Sequence, residues 1–277
     1  MRILLLADLH FRGTWFSWLN RQSADLCVIA GDLLDGFHVG GLLPQMIAIK
    51  RWCDHFSGRL ALSSGNHDGN LENGAMAAEL WEIADSESRR SAHSMLQAEN
   101  WMDELERSGI VTDRRSVLLG TPAGSVVVTT IPFFPASGGY QFIDKLWEAG
   151  AALRLANGVP WIVLHHEPPA DTLVGGSSGD PSLFYKIRDF QPDYVVSGHI
   201  HGQPYKGSFA DKIGATWCFN PGHPSIEQAS RTEAPNHIML DLAARTATWH
   251  AAAHIDRESI VKRVALDGSS PKETTGM

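Results

Sequence analysis

Five times in its first 201 residues the chain runs through a short apolar stretch and stops on side chains of metal-ligand type, and this recurrence restricts the fold more than any other feature. Residues 2–7 (RILLLA) end at Asp8-Leu9-His10, and 25–30 (DLCVIA) at Gly31-Asp32-Leu33-Leu34-Asp35. Residues 59–63 lead to Gly65-Asn66-His67-Asp68, 160–164 to His165-His166-Glu167-Pro168, and 193–197 (DYVVS) to Gly198-His199-Ile200-His201. Continuous apolar runs are the pattern of strands covered on both faces. Polar residues at the carboxyl ends of such strands are where open α/β sheets place their ligand sites. Helical stretches at 14–21, 42–56, 142–157 and 182–190 lie between the strands, so the chain reads as an α/β protein.

The remaining segments are less distinctive. Residues 71–109 are rich in Ala, Glu and Arg with apolar positions at helical spacing. They predict two helices covering a sheet face, with a separate cap domain as the alternative, and Gly109 as a helix stop. Residues 125–134 (SVVVTTIPFF) are strand-like until the prolines turn them into a loop. The GGSSGD segment at 175–180 is read as a surface turn, with a mobile flap as the alternative. Three further strands are expected near 216–219, 237–240 and 246–252. No repeat or linker divides the chain, which predicts one domain over 1–265 and a disordered tail over 266–277.

Composition excludes some partners. The chain has 277 residues, 23 Lys and Arg against 31 Asp and Glu, and a net charge of -8. That balance argues against a nucleic-acid surface, which needs clustered cations, although a local basic groove stays open. Cys27, Cys53 and Cys218 are far apart and odd in number, the pattern of reduced thiols in a cytosolic protein. The first apolar run is too short for a signal peptide or a membrane span. The expectation is a cytoplasmic protein with no membrane partner.

Carboxylate, amide and imidazole together suit borderline divalent cations such as Mn²⁺, Fe²⁺, Zn²⁺ or Co²⁺, and the lack of thiolate argues against a structural zinc site. Seven ligands are too many for one ion and about right for two, provided one carboxylate bridges. Paired ions of this kind generate a hydroxide nucleophile near neutral pH and clamp the oxygens of a phosphoryl group.

The order DLH, GDLLD, GNHD, VLHHEP and GHIH, complete within residues 1–201, resembles the calcineurin-like metallophosphoesterase superfamily. The resemblance implies two mixed β-sheets packed face to face with helices outside, a four-layer α/β/β/α sandwich. The strand pattern by itself does not separate this from a doubly wound single sheet. It further implies that Asp8, His10 and His201 hold one metal, that Asn66, His166 and His199 hold a second, and that Asp32 bridges them. His67 would stand beside the substrate and stabilise or protonate the leaving oxygen. The family's His-x-Pro pattern selects His166 over His165, and strand alternation sends those two rings to opposite sides. Asp35 would accept a proton from a ligand imidazole. His38 and His223, the latter in an Asn-Pro-Gly-His turn, are left outside the site.

Departures from the family's branches narrow the substrate. Gly36 and Asp68 stand where protein serine/threonine phosphatases carry arginine and glutamate, and His67 stands where lipid-precursor pyrophosphatases usually carry arginine. DNA exonucleases share GNHD but usually add DNA-binding regions. The expectation is a small bacterial-type phosphatase or phosphodiesterase, with manganese the first choice of metal. Its partner would be a small phosphorylated substrate, a nucleotide among the candidates. A non-catalytic scaffold on the same fold and a DNA exonuclease are the alternatives.

Overall fold

Strands β1 (Arg2–Leu6), β2 (Leu26–Ala30) and β3 (Leu60–Ser63) lie parallel, with Leu4 beside Cys27 and Cys27 beside Leu60. The structure is a computed structural model that describes residues 1–36, 41–68, 101–133, 139–251, 260–266 and 274–275. Successive side chains in these strands face two different apolar layers, which is why the runs tolerate no polar break. Leu4, Leu6, Cys27 and Ile29 pack with Trp15 and Phe16 of α1 (Gly13–Leu19) and with Met46 and Ile49 of α2 (Leu43–His55). Ile3, Leu5, Val28 and Ala30 point the other way, into a core shared with a second sheet.

Among the described residues the first sheet has eight strands. β4 (Ile110–Val111) extends it beyond β3. On the other side of β1 it continues antiparallel through β11 (His237–Asp241), β12 (Thr246–Ala251), β13 (Ile260–Ala265) and β14 (Thr274–Thr275). The second sheet has six strands in the order β5 (Arg115–Thr121), β6 (Gly124–Thr130), β7 (Trp161–Leu164), β8 (Tyr194–Val196), β10 (Thr216–Phe219) and β9 (Ala210–Ile213). β6, β7, β8 and β10 are parallel, and the two edge strands are antiparallel to them. Val126, Val128, Ile162, Leu164 and Val196 meet the inner face of the first sheet. Val127, Val163 and Val195 face outward against Trp147 of α3 (Gly139–Asn157) and Leu183 and Ile187 of α4 (Pro181–Phe190). The result is the four-layer α/β/β/α sandwich that the resemblance implied, and the single doubly wound sheet is excluded.

Local chemistry sets several boundaries. The Asp180 carboxylate caps α4 by accepting from Ser182 N at 2.7 Å, and Pro181 supplies the first-turn residue whose missing N–H costs nothing there. Segment 175–180 is a hydrogen-bonded turn, with Gly176 N donating to Thr172 O and Asp180 N to Pro168 O, both at 2.8 Å. Of the helical stretch expected over 71–109, residues 71–100 lie outside the described residues. Trp101–Leu105 forms a short 3₁₀ turn with Trp101, Met102 and Leu105 buried. Gly109, expected to stop a helix, adopts φ 88° in the turn entering β4. The expected tail lies largely outside the described residues. Its first residue, Leu266, is buried and donates from its N–H to Arg245 O at 2.8 Å, and Thr274–Thr275 forms the edge strand β14.

The three cysteines are buried and free. Burial pushes the Cys27 and Cys53 thiols up to about 12, and Cys218 also upward, so none is a nucleophile near neutral pH. Among the described residues no helix is long and apolar enough to cross a membrane.

Candidate metal centre

The stacking of the two sheets brings the carboxyl ends of β1, β2 and β3 against those of β7 and β8, and every side chain singled out for metal binding issues from one of those ends. The chain leaves the strands by tight left-handed turns. Asp8, His10, Asp32 and His199 have φ values of 55°, 42°, 53° and 63°, a region that costs most side chains free energy and that Asp, Asn and His tolerate best. Hydrogen bonds hold these turns: Asp8 N to Gly31 O at 3.0 Å, His10 N to Asp32 O at 2.9 Å, and His199 N to Asp8 Oδ1 at 3.1 Å. Two glycines are required by close approach. A Cβ on Gly65 would strike the Asp32 carboxylate, and one on Gly198 would lie 2.6 Å from Asp8 Oδ2.

The donors fall into two groups that share Asp32. In the first, Asp8, His10, Asp32 and His201 each offer a ligand atom, all within 4.8 Å of one another. His201 Nε2 lies 3.2 Å from Asp8 Oδ1 and 3.3 Å from His10 Nε2, and His10 Nε2 is 3.8 Å from Asp32 Oδ2. In the second, Asn66 Oδ1 stands 3.1 Å from His166 Nε2 and 2.9 Å from His199 Nδ1, and His166 Nε2 is 3.3 Å from Asp32 Oδ2. His166 Nδ1 lies 2.8 Å from Ala30 O; only a protonated Nδ1 can make that bond, so in the neutral ring Nε2 presents its lone pair to the site.

A family model described as calcineurin-like phosphoesterase matches residues 1–203, nearly three-quarters of the chain. The chain belongs to the calcineurin-like phosphoesterase family. No curated protein matches it in sequence. Among solved structures, one crystal structure superposes with a TM-score of 0.51 at 12% identity, covering 94% of this chain and 97% of its own; at that identity the likeness concerns the fold alone. A double mutant of Vps29 from Entamoeba histolytica aligns over 100% of both chains at 11% identity with a TM-score of 0.33.

The donor set of this family member fits metal. Asp8 Oδ2 is buried without a hydrogen-bond partner, and two imidazole nitrogens face each other at 3.3 Å, an arrangement that a shared cation would satisfy. Burial by itself would raise the Asp8 carboxyl. The hydrogen bond from His201 and the charges of His201, His166 and His10 outweigh it and hold Asp8 below the usual carboxylate range. Burial would lower His166, yet the Asp32 hydrogen bond and the charges of Asp32 and Asp8 raise it to about 9. Burial lowers His10 and His199.

The surrounding side chains sort the remaining expectations. His67 N donates to Asp32 Oδ1 at 2.9 Å, and its Nε2 is 3.9 Å from Asp32 Oδ2. His166 follows Ile162 and Leu164 on the inter-sheet face, whereas His165 follows Val163 outward and has its Nε2 3.7 Å from Asp180 Oδ2. Asp35 lies beside α2, where its backbone N–H donates to Gln45 Oε1 at 2.8 Å. His38 lies outside the described residues.

Three contributors went unrecognised in the sequence. The Asp68 carboxylate ties the GDLLD loop to the GNHD loop by accepting from Leu33 N, Leu34 N and Gly65 N at 3.1, 2.9 and 2.9 Å, while burial and then the Asp32 charge raise it to about 7. Phe133 places its ring 5.7 Å from those of both His166 and His199. His223, set aside as a bystander, packs against His201 and His10 with ring centroids 4.8 and 5.1 Å away, and burial lowers it to about 3. The GNHD motif carried a signal for Asp68, and the Asn-Pro-Gly-His turn after a strand end carried one for His223, which was left outside the site; Phe133 carried none.

Proposed function

We propose that the chain is a metal-dependent hydrolase of a small phosphomonoester or phosphodiester, a nucleotide among the candidates, working with two divalent ions of which manganese is the first choice over iron, zinc or cobalt. The observation that carries this reading is the pair of donor groups joined at Asp32, with Asp8 Oδ2 buried and unpartnered in the first of them. Asp8, His10 and His201 would hold one ion, Asn66, His166 and His199 the other, and Asp32 both. Bound there, two such ions supply a nucleophile from water near neutral pH and offset the charge of a phosphoryl group.

The chain's own residues do the rest. Gly36 N donates to His67 Nδ1 at 2.9 Å, which leaves the proton of the neutral ring on Nε2, the nitrogen nearer Asp32. His67 therefore presents an N–H that can donate to a phosphoryl oxygen or to the departing oxygen. Asp68 holds the loops carrying Asp32 and His67 in register, so the donor is positioned before substrate arrives. The net charge of -8 favours a small substrate over a nucleic-acid polymer, and separated, reduced thiols support a cytoplasmic setting.

Turnover of p-nitrophenyl phosphate and bis-p-nitrophenyl phosphate by Mn²⁺-loaded protein tests this directly. Activity that disappears on chelation and returns with Mn²⁺ is expected. His67→Ala should keep its metal and lose about 10²–10⁴-fold in rate, the usual contribution of a positioned proton donor. Well-folded, metal-loaded protein inactive on both esters would favour the scaffold reading, and an unchanged rate in His67→Ala would remove that residue from the mechanism.

A further inference from the structure

The Asn220-Pro221-Gly222-His223 turn is built around the GHIH loop. Asn220 is fully buried, and its Nδ2 reaches Val174 O at 3.1 Å and the carbonyls of Gly198 and Ile200 at 3.3 Å each. Its Oδ1 accepts from Gly222 N at 2.8 Å, closing the turn. Gly222 has φ 64°, and a Cβ there would lie 2.7 Å from His201 O. His223 N donates to that same His201 O at 3.2 Å. Pro221 O accepts from Trp249 Nε1 at 2.8 Å, which anchors the turn to β12.

The His223 ring completes a triangle of imidazoles. Its centroid is 4.8 Å from His201 and 5.1 Å from His10, and those two are 5.2 Å apart. On another side it meets the fully buried Trp15 at 5.3 Å, so it has no room to swing outward. Its Nε2 is buried with no hydrogen-bond partner. A nitrogen stranded in that way is destabilising, so fold stability by itself does not account for an imidazole at this position.

We propose that His223 is a positioning residue for the Asp8, His10 and His201 half of the centre, its ring fixing the planes of the His10 and His201 rings so that their Nε2 atoms stay turned to a common point. The inference rests on the two-ion reading of the site and adds a group that lies outside its seven ligands. Neighbours of metal ligands that act by orienting them typically change affinity by about 10–100-fold when removed. The effect should be local, because the His223 ring meets His10 and His201, whereas the rings of His166 and His199 meet Phe133.

The test uses the full chain with His223→Ala, and His223→Gln as a second variant should the first fold poorly. Calorimetric titration of metal-free protein with Mn²⁺ should show one of two binding events weakened about 10–100-fold and the other unchanged. A crystal structure of the metal-free variant should show His10 and His201 parted from their 3.3 Å approach, with Asn66 still between His166 and His199. Two unchanged binding events with unmoved rings would overturn the proposal. So would equal weakening of both events, which would mean general loosening and not local positioning. If wild-type protein took up no Mn²⁺, the two-ion reading would fall, while the ring positions in the metal-free variant would still decide the role of His223.

Discussion

The two halves of the centre are built from different materials. One holds the carboxylate of Asp8, two imidazoles meeting nitrogen to nitrogen, and a wall made by His223 and Trp15. The other centres on the amide oxygen of Asn66, which lies 3.1 Å from His166 Nε2 and 2.9 Å from His199 Nδ1, and is backed by Phe133. The His201 side chain is 41% exposed and the His166 side chain 0%, but Asp8 is fully buried in the first half and Asn66 and His199 are only partly buried in the second. A half with a carboxylate of its own beside a half whose own oxygen donor is an amide is suited to unequal occupancy, with Asp32 the group they share. On the two-ion reading proposed above, the contrast would let one constellation hold two ions of the same element without treating them alike.

Asp32 tests the comparison most severely, because it is the one group both halves share. In Asp32→Asn both equivalents of Mn²⁺ should be lost together with turnover, read by metal analysis on dialysed protein. Loss of one equivalent with the other intact would assign Asp32 to a single half.

A smaller and more selective effect is expected from the pair in GHIH. His201→Ala and His199→Ala should each remove one equivalent, and the residual ions should differ between the variants. That difference is measurable from the Mn²⁺ magnetic resonance spectrum of each singly loaded form. Identical residual spectra would place both histidines on the same ion and dissolve the distinction between halves.

The smallest effect lies in the metal-free protein's response to alkali. His166 is raised to about 9 when folded and has an ordinary value near 6.5 unfolded. The folded state therefore binds the extra proton between those values. The resulting stability is complete below about pH 6.5 and is lost as pH rises through about 9, amounting to roughly 3 kcal/mol for a shift of this size. Chelated protein should unfold at lower urea concentration at pH 9 than at pH 7, and Mn²⁺ should remove much of that difference. A flat response would mean that His166 is not held against Asp32 and Asp8 in the way described.

The candidate ligands were legible in the sequence because each closes an apolar run, so a local break in hydrophobicity marks a strand end and its chemistry together. The family's His-x-Pro pattern selected His166 over His165, alternation requiring only that the two rings part, and the structure puts His166 on the inner face with Ile162 and Leu164. Other parts left no such mark. β5, β9 and β13 are largely partly exposed or exposed and carry charged residues, as in Ala210–Ile213 (ADKI), so no apolar run announces them. The clamp by Asp68 onto Leu33 and Leu34 spans about 35 residues, and the closing of Asn220 onto Gly198 spans 22. Contacts at that separation arise from sheet packing and have no local periodicity to reveal them. The family resemblance supplied the sandwich, which the strand pattern alone did not distinguish from a single sheet.

The central claim, two ions sharing Asp32 in unlike halves, is tested most directly by anomalous diffraction from a crystal grown with Mn²⁺. The account predicts two peaks flanking the Asp32 carboxylate, one beside Asp8, His10 and His201 and the other beside Asn66, His166 and His199. A single peak at saturating Mn²⁺, or two peaks with His199 and His201 on the same ion, would contradict it.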